Sequence, residues 1–353
     1  MNVLDRRVVL SLSAGALVAG TMASLLATQG GVTDHPTMPG TPWMADFGRP
    51  VANGTVLTVS GPGDPVTIRS QDGGWTVDAF DGYPAAPDRV EMLLRALAGL
   101  SLSAYRTADP TLHPLLGLAD DRTTVQLGRT TSQPDRTNHR TAMRVDLTRP
   151  DGTVTSILLG RRASPPYGPG VYARRPGQNQ TVRLSGQIDL PDAAIGWLDT
   201  RLLDRPVEDV LALSIRPAGG GTSLRIVQQG GGFVIPDLPE DRVVAEPFRL
   251  SNTASWLERL DILSVRSDPV PDTVNQLPQA DAVFGLTDGL VVQVWRLGES
   301  GPNSDTPAWA RLRFTGPGEE QLNARVTGYV FRFARHKMDR LTYTIEDATR
   351  PRA

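Results

Sequence analysis

The residues best suited to catalysis or metal binding are few in this chain and widely spaced. Its four histidines are His35, His113, His139 and His336, and none belongs to an HExxH or H-x3-H pattern. Zinc motifs need such spacing because the ligands must converge on one metal ion. Cysteine is absent, which excludes disulfides, thiolate metal sites and a thiol nucleophile. We therefore expect no metal and no cofactor, although a Ser-His-Asp triad assembled by the fold alone stays possible, because geometry defines such triads.

Acidic pairs and glycine clusters in this chain are typical of turns. The acidic pairs are Asp120-Asp121, Glu240-Asp241 and Glu319-Glu320, and all of them neighbour turn-forming residues. The glycine clusters begin at Gly168, Gly219 and Gly230 and lead into strand-like residues, whereas a phosphate-binding loop opens a helix. We interpret these clusters as turns. A glycosidase site remains an alternative, because it needs only two carboxylates that the fold brings together.

The segment over residues 167–177 is the best candidate for a binding surface. It combines Tyr167, Tyr172, Arg174 and Arg175 with proline and glycine residues that form stiff turns. Tyrosine and arginine are enriched among the residues that dominate binding energy at protein interfaces. These four residues are therefore the predicted partner-binding residues. The alternative is a structural hairpin with Tyr172 facing inward and both arginines in solvent.

The N-terminal residues 1–28 predict a membrane anchor. An uncharged run from Val8 to Thr28 follows Arg6 and Arg7, and the next basic residue is Arg49. A helix over this run would just cross the roughly 30 Å hydrocarbon core of a bilayer. The charge asymmetry places the short N-terminus in the cytoplasm and the rest of the chain in the periplasm. A cleaved signal peptide is the alternative, although the apolar run is long and lacks a clear Ala-x-Ala site.

Composition argues against nucleic-acid binding. The formal net charge is −2 and the sequence pI is about 6.1, so no excess of positive charge is available for phosphates. Basic residues are almost all arginine, with Lys337 as the sole lysine. We attribute this bias to the codon usage of a GC-rich genome.

The remaining sequence divides into a linker and two similar halves. Residues 29–42 are rich in Gly, Pro and Thr and predict a flexible tether. Residues 43–353 are about twice as long as a typical domain, so we expect a first copy over 43–210 and a second over 211–353. Three ordered similarities between the halves predict a tandem duplication. They are residues 68–75 with 226–233, residues 97–106 with 257–266, and residues 147–160 with 286–298.

Residue periodicity within each copy predicts antiparallel strands and one packed helix. Apolar residues recur at helical spacing from Val90 to Leu100, Pro87 suits the first turn of this helix and Gly99 suits its end. In the second copy we expect Ser251 or Asn252 to cap the equivalent helix. Alternating residues from Met143 to Leu147 and a turn at Asp151-Gly152 predict a hairpin that continues through residues 154–159. The predicted fold class is α+β, with two tandem related copies in which each antiparallel sheet packs on a helix.

Two further elements complete this prediction. We expect a short helix from Pro191 to Leu203, which would end the first copy before Pro206. Apolar residues at Leu341, Tyr343 and Ile345 alternate with polar neighbours and predict a final strand.

Several segments, taken in order, resemble an uncharacterised bacterial family, the domain of unknown function with catalogue number 4340. The matching segments are Gly74–Val77, the helix entry Tyr83–Leu94, Leu115–Leu118, Val125–Gly128, Leu159-Gly160, Gly170–Arg174 and Ile195–Leu203. The resemblance covers about residues 55–215, and the second copy resembles the family more weakly. It implies a membrane-anchored protein that is often associated with gliding-type ABC transport systems, beside a large auxiliary subunit. No catalytic residue is implied.

These observations predict an accessory or binding subunit of an ABC-type transport or cell-envelope complex. The protein would be a single-pass protein of the bacterial inner membrane with its bulk in the periplasm, and its partner would be a transporter permease or auxiliary subunit. The alternative is an envelope hydrolase or carbohydrate-binding protein whose site lies between the two copies, because ligand sites favour domain interfaces. An Arg/Tyr surface patch or an open sheet edge would favour the first hypothesis. A large apolar pocket with converging carboxylates would favour the second.

Overall fold

A computed structural model describes residues 39–352, with the exception of Pro62 and Asp237 and of residues 120–141, 164–167, 218–219, 270–278 and 298–308. The predicted anchor over residues 8–28, Tyr167, His35, His139 and the Asp120-Asp121 pair lie outside the described residues. Within the described part of the chain, no helix combines the length and the apolar character that a membrane span requires.

The first half of the chain forms one antiparallel sheet. Its strands are β1 (Val56–Ser60), β2 (Val66–Gln71), β3 (Gly74–Val77), β4 (Tyr83–Pro84), β5 (Ser101–Tyr105), β6 (Met143–Thr148), β7 (Val154–Ala163), β8 (Gly170–Arg174) and β9 (Thr181–Ser185). In the described residues they are arranged in the order β4-β3-β2-β1-β6-β7-β8-β9-β5. The predicted hairpin of β6 and β7 is confirmed, because Val145 and Leu147 are buried and residues 143–148 pair with residues 154–159.

The second half forms another antiparallel sheet and two small strand pairs. Its strands are β10 (Arg201–Leu203), β11 (Val210–Ile215), β12 (Leu224–Gln229), β13 (Gly232–Val234), β14 (Arg242–Val244), β15 (Leu260–Asp261), β16 (Ser264–Ser267), β17 (Ala282–Leu286), β18 (Val291–Leu297), β19 (Trp309–Thr315), β20 (Tyr329–Arg332) and β21 (Thr349–Pro351). The main sheet has the order β13-β12-β11-β17-β18-β19-β20-β16, while β10 pairs with β15 and β14 pairs with β21. Apart from β4, the two main sheets thus follow the same succession of strands.

Five α-helices complete the described structure. They are α1 (Pro87–Gly99), α2 (Pro247–Ala254), α3 (Glu319–Val326), α4 (Arg335–Arg340) and α5 (Ile345–Ala348). Helix α1 begins with Pro87 and buries the predicted apolar face, which includes Val90, Leu94 and Leu97. Strands and helices of both halves bury their apolar residues in one continuous core. The α+β prediction is therefore confirmed for the described residues.

Three predicted elements were wrong in detail. Helix α2 begins at Pro247, so Ser251 and Asn252 lie inside the helix and do not cap it. The helix expected over residues 191–203 is a single 3-10 turn, Ala194–Trp197, followed by strand β10, because β10 pairs with strand β15, which is distant in the chain. The final strand expected over residues 341–345 is absent from the described structure. A capping box at Thr344 and Asp347 begins helix α5 there.

The start of each half is held in the same way. In the second half, the backbone N–H of Ile262 donates to the carbonyl of Thr200, just before strand β10. In the first half, the N–H of Leu102 donates to the carbonyl of Thr41, and Trp43 N–H donates to Leu100. The last residues of the predicted tether are therefore bound to the edge of β5. Thr200 thus has in the second half the place that Thr41 has in the first, and the boundary at 210/211 stays a prediction.

Candidate functional site

The predicted binding segment lies on the outer face of the first sheet, opposite the main core. Val171 and Ala173 of strand β8 point into that core, so Tyr172 and Arg174 alternate onto the other face. There Tyr172 is half-buried against a small apolar cluster of Leu118, Ala142 and Leu158. The prediction that Tyr172 lies at a surface thus stays open, because part of its ring is covered.

Arg174 does not match the expectation of a surface arginine. It is 1% exposed, and its guanidinium donates to the carbonyls of Leu118 and Gln178, at 3.2 Å each. An arginine in this position binds backbone oxygens that the sheet does not satisfy, which holds the chain before residue 119 onto the sheet. The role of Arg174 in partner binding stays a prediction, although a neighbouring segment covers its side chain, which alternation alone could not show.

Arg175 is half-buried and contacts the N-terminal segment. Its guanidinium lies over the ring of Trp43, 5.1 Å from the ring centroid, and it donates to the Trp43 carbonyl at 3.4 Å. Such cation–π contacts contribute about 0.5–2 kcal/mol. Arg175 therefore fastens the residues that follow the tether to the first sheet, which is a role that the sequence did not indicate.

A 3-10 helix, Pro110–Leu116, covers this outer face and presents two leucines to solvent. Asp109 caps it by accepting a hydrogen bond from the Thr111 N–H at 2.9 Å and another from the Thr111 hydroxyl, and these bonds lower the pKa of Asp109. Residues three apart are eclipsed in a 3-10 helix. Leu112 and Leu115 consequently form one ridge, 41% and 66% exposed, which we call the leucine ridge.

The opposite side of the same helix faces the sheet. His113 is buried, and its Nε2 lies 2.9 Å from the carbonyl oxygen of Asn179, to which it donates. Leu116, three residues later, packs against the cluster around Leu118. His113 thus has a structural contact, and its side chain is not available at the surface. The exposed histidine among the described residues is His336 on α4.

Two glycines make this arrangement possible. A Cβ at Gly160, on strand β7, would lie 2.2 Å from the carbonyl oxygen of Leu116, a distance that real Cβ atoms do not adopt. Gly117 ends the 3-10 helix in the left-handed region, with φ of +70°. The close approach of backbone to sheet therefore requires glycine at position 160, and it fixes the leucine ridge above the sheet.

The junction between the two halves is filled by aromatic rings. Tyr83 of strand β4 packs edge-to-face on Tyr329 and Phe331 of strand β20. Its hydroxyl is buried without a hydrogen-bond partner among the described residues, and burial raises the pKa of Tyr83 to about 12. Asp199 and Arg325 form an ion pair beside this cluster, at 2.9 Å. This packing leaves the junction closed around Tyr83.

Other titratable groups have structural partners. Within the described ranges, no group of three or more acidic or histidine side chains is arranged to hold a metal ion. The pairs Glu240-Asp241 and Glu319-Glu320 are exposed, but only the first lies in a turn region, because Glu319 and Glu320 begin helix α3. Lys337 donates to the carbonyls of Trp256 and Glu258, where it caps the end of a short 3-10 helix, and burial together with nearby Arg340 lowers its pKa to about 8.

Comparison with known families gives one assignment. The family profile described as "Domain of unknown function (DUF4340)" matches residues 75–313, more than half of the chain. The chain belongs to the DUF4340 family. Neither a curated protein nor a solved structure matches it significantly.

The DUF4340 segments recognised in the sequence converge at two places. Leu115–Leu118, Gly160 and Gly170–Arg174 meet beneath the leucine ridge, although they are distant in the chain. Tyr83 and Trp197 belong to the main core. Sequence reasoning identified strand β8 but missed the leucine ridge. The signal that could have found it is the i, i+3 spacing of Leu112 and Leu115 directly after Asp109-Pro110.

Proposed function

We propose that this DUF4340 protein is a binding subunit of an ABC-type transport or cell-envelope complex, held at the inner membrane by residues 8–28 and facing the periplasm. The observation that carries the binding role is the leucine ridge, where Leu112 and Leu115 are exposed on a helix that is tightly held from below. Exposed apolar side chains on a fixed support are typical of protein-binding surfaces.

The energetics favour this surface over the arginines that the sequence suggested. Covering a leucine that is about half exposed contributes roughly 1 kcal/mol. The helix loses little conformational entropy on binding, because His113 and Arg174 already attach it and its flanking residues to the sheet. Half-buried Tyr172 lies on the same face of the sheet and would extend the contact.

The membrane location is part of the proposal and is supported by the sequence. Arg6 and Arg7 precede an apolar run of spanning length, and the resemblance to DUF4340 implies an association with ABC transport systems. A periplasmic protein released by cleavage near residue 28 is the alternative. In either case the described residues would lie on the same side of the membrane.

The duplication also remains a proposal. It is supported by the shared strand succession of the two main sheets and by their hairpins, in which Trp75 pairs with Ser70 and Phe233 pairs with Gln228 at the same register. Unequal connections between strands are expected after a duplication, since loops tolerate change better than paired strands do.

The alternative function, a hydrolase or carbohydrate-binding protein with a site between the copies, lacks comparable support. It needs an open cleft at the junction, whereas Tyr83, Tyr329 and Phe331 pack together there. The carboxylate of Asp81, which also lies at this junction, accepts a hydrogen bond from the backbone of Ser267. These contacts favour a structural junction and a binding function at another surface.

The proposal is tested by co-purification of the full-length protein from native membranes. We expect the double variant Leu112→Ser and Leu115→Ser to recover roughly tenfold less of the transport components, because about 1.4 kcal/mol corresponds to a factor of ten. The matched control is Leu211→Ser with Leu263→Ser, two leucines 47% and 49% exposed outside the ridge. Equal recovery with both variants, at matched expression and melting temperature, would refute the leucine ridge as the binding surface.

A further inference from the structure

The outer edge of strand β3 in the first sheet is occupied by strand β4. This pairing can be compared with the equivalent edge of the second sheet. Strand β3 follows a hairpin with a two-residue turn, Asp72 and Gly73, and then pairs with β4 on its outer side. There the N–H of Ala85 donates to the Trp75 carbonyl at 2.7 Å, and the N–H of Gly82 donates to Val77. The backbone carbonyls of Trp75 and Val77 therefore face the outer edge, and each accepts a hydrogen bond there.

Strand β13 is the equivalent strand of the second sheet, and its outer edge differs. It follows the same kind of two-residue turn, Gly230 and Gly231, and Gln229 with Gly232 closes the hairpin. This register directs the backbone groups of Phe233 outward, as it does at Trp75. Strand β14, which follows β13 as β4 follows β3, pairs with β21 instead.

No hydrogen bond to the outward backbone groups of Phe233 is made within the described part of the chain, whereas Ile235, just beyond the strand, is buried in the core. Strand β13 is accordingly an end of its sheet. Its residues 232–234 are half-buried, and Phe248, 67% exposed, lies at the start of helix α2, which packs beside β13. Proteins commonly cover or charge such edges, because an open edge accepts another strand.

We propose that the β13 edge is a strand-addition site that binds an extended segment of another protein. The segment would lie antiparallel to β13, in the place that β4 takes beside β3. Main-chain hydrogen bonds to Phe233 would supply affinity, and alternate apolar side chains of the ligand would supply selectivity. Strand β4 shows the required chemistry, because its Tyr83 side chain points into the core while Pro84 is exposed.

This proposal deepens the binding function proposed above and rests on it for its biological meaning, but its test needs no transport component. The probe is the acetylated, amidated peptide Thr-Val-Tyr-Val-Thr, whose residues strongly favour strands. Amide hydrogen exchange of the full-length protein is measured with increasing peptide, up to roughly 1 mM, since short strands bind weakly. We expect exchange at Phe233 to slow by the factor 1 + [peptide]/Kd, about twofold at half occupancy.

Two controls separate strand addition from other effects. The same peptide with N-methylated valines keeps its side chains but loses backbone donors, so it should give no protection. Residues 74–77 of strand β3, whose edge is occupied, should be unaffected by either peptide. Phe233→Pro removes the outward N–H without removing a ladder hydrogen bond and should abolish the effect, whereas Phe233→Leu should preserve it.

Three results would overturn the proposal. They are unchanged exchange at Phe233 at the highest peptide concentration, equal protection by the N-methylated peptide, and protection that rises with protein concentration when peptide is absent. The last result would identify a second copy of this chain as the occupant. Loss of transport components with the leucine ridge variant would leave these outcomes unaffected, so the two proposals fail separately.

Discussion

The ring of Tyr83 meets the ring of Tyr329 almost at a right angle, 88°, with 4.9 Å between the ring centroids. These residues belong to different halves of the chain, and the Tyr329 hydroxyl also donates to the carbonyl of Gly82 at 3.3 Å. One residue earlier, the Asp81 carboxylate accepts from the Ser267 N–H at 2.8 Å. The turn before β4 thus joins the edge of the first sheet to the edge of the second, so the two halves share one continuous core.

Truncation of Tyr83 should destabilise the whole protein. We expect Tyr83→Ala to lower the free energy of unfolding by about 3–5 kcal/mol, the usual cost of deleting a buried aromatic ring. Tyr83→Phe should cost far less, because the hydroxyl that it removes is buried without a hydrogen-bond partner. Urea unfolding followed by tryptophan fluorescence measures both. Separate transitions for the two halves in the wild type would contradict the shared core.

Substitution of Gly160 should disturb the leucine ridge. We expect Gly160→Ala to destabilise the protein by about 1–3 kcal/mol, because the new Cβ would overlap the Leu116 carbonyl. Gly99→Ala is the matched control. It lies at the end of helix α1 with nothing within 4 Å of the added Cβ, so it should be neutral or stabilising by up to about 1 kcal/mol. Thermal unfolding and proteolysis at residues 110–118 measure the difference.

The fold was predictable where the pattern is local. Alternation over Met143–Leu147 and the turn at Asp151-Gly152 determined a hairpin in full, because side-chain period and turn chemistry agree there. The helix predicted over residues 191–203 was wrong because their apolar spacing suits a helix, while the observed strand β10 depends on pairing with β15, about sixty residues away. A contact at that distance cannot be predicted from the periodicity of the neighbouring residues.

The candidate site was less predictable for the same reason. Strand β8 was identified from its tyrosine and arginines, but the burial of Arg174 depends on its hydrogen bond to the carbonyl of Leu118, fifty-six residues earlier. Burial of an arginine by a distant segment cannot be read from the arginine itself. The unpaired edge of β13 could not be predicted from the sequence either, because it depends on the pairing of β14 with β21, a strand far along the chain.

His113 should act through packing and not through chemistry. We expect His113→Ala to destabilise the protein by about 1–3 kcal/mol, because the carbonyl of Asn179 loses its donor and a buried ring is removed. His113→Gln can still donate to that carbonyl and should restore part of the loss. His336→Ala, at an exposed position, should be neutral. Loss of biological function in a well-folded His336 variant would instead indicate a catalytic role.

The full-length chain should resist carbonate extraction from membranes. An uncharged run of spanning length remains in the bilayer when peripheral proteins are released. Replacing Gly15 and Leu17 by Arg should convert the protein to an extractable form, because a charged side chain at the bilayer centre is costly. A wild-type species that starts near residue 29 and is soluble would show that the segment is a cleaved signal.

Lys337 should make stability depend on pH above neutrality. Burial lowers its pKa to about 8 in the folded protein, from 10.5 for a free lysine. Between these values the unfolded chain binds more protons at this position than the folded chain does, so the contribution of Lys337 to the free energy of unfolding rises with pH. We expect the stability difference between the wild type and Lys337→Met to shift in favour of the wild type from pH 7.5 to 9.5, a range below the ionisation of Tyr83. Urea unfolding at both pH values measures it, with Lys337→Arg as a control that keeps its charge throughout. A shift in the opposite direction would mean that the Trp256 and Glu258 carbonyls stabilise the charged amine more than burial disfavours it.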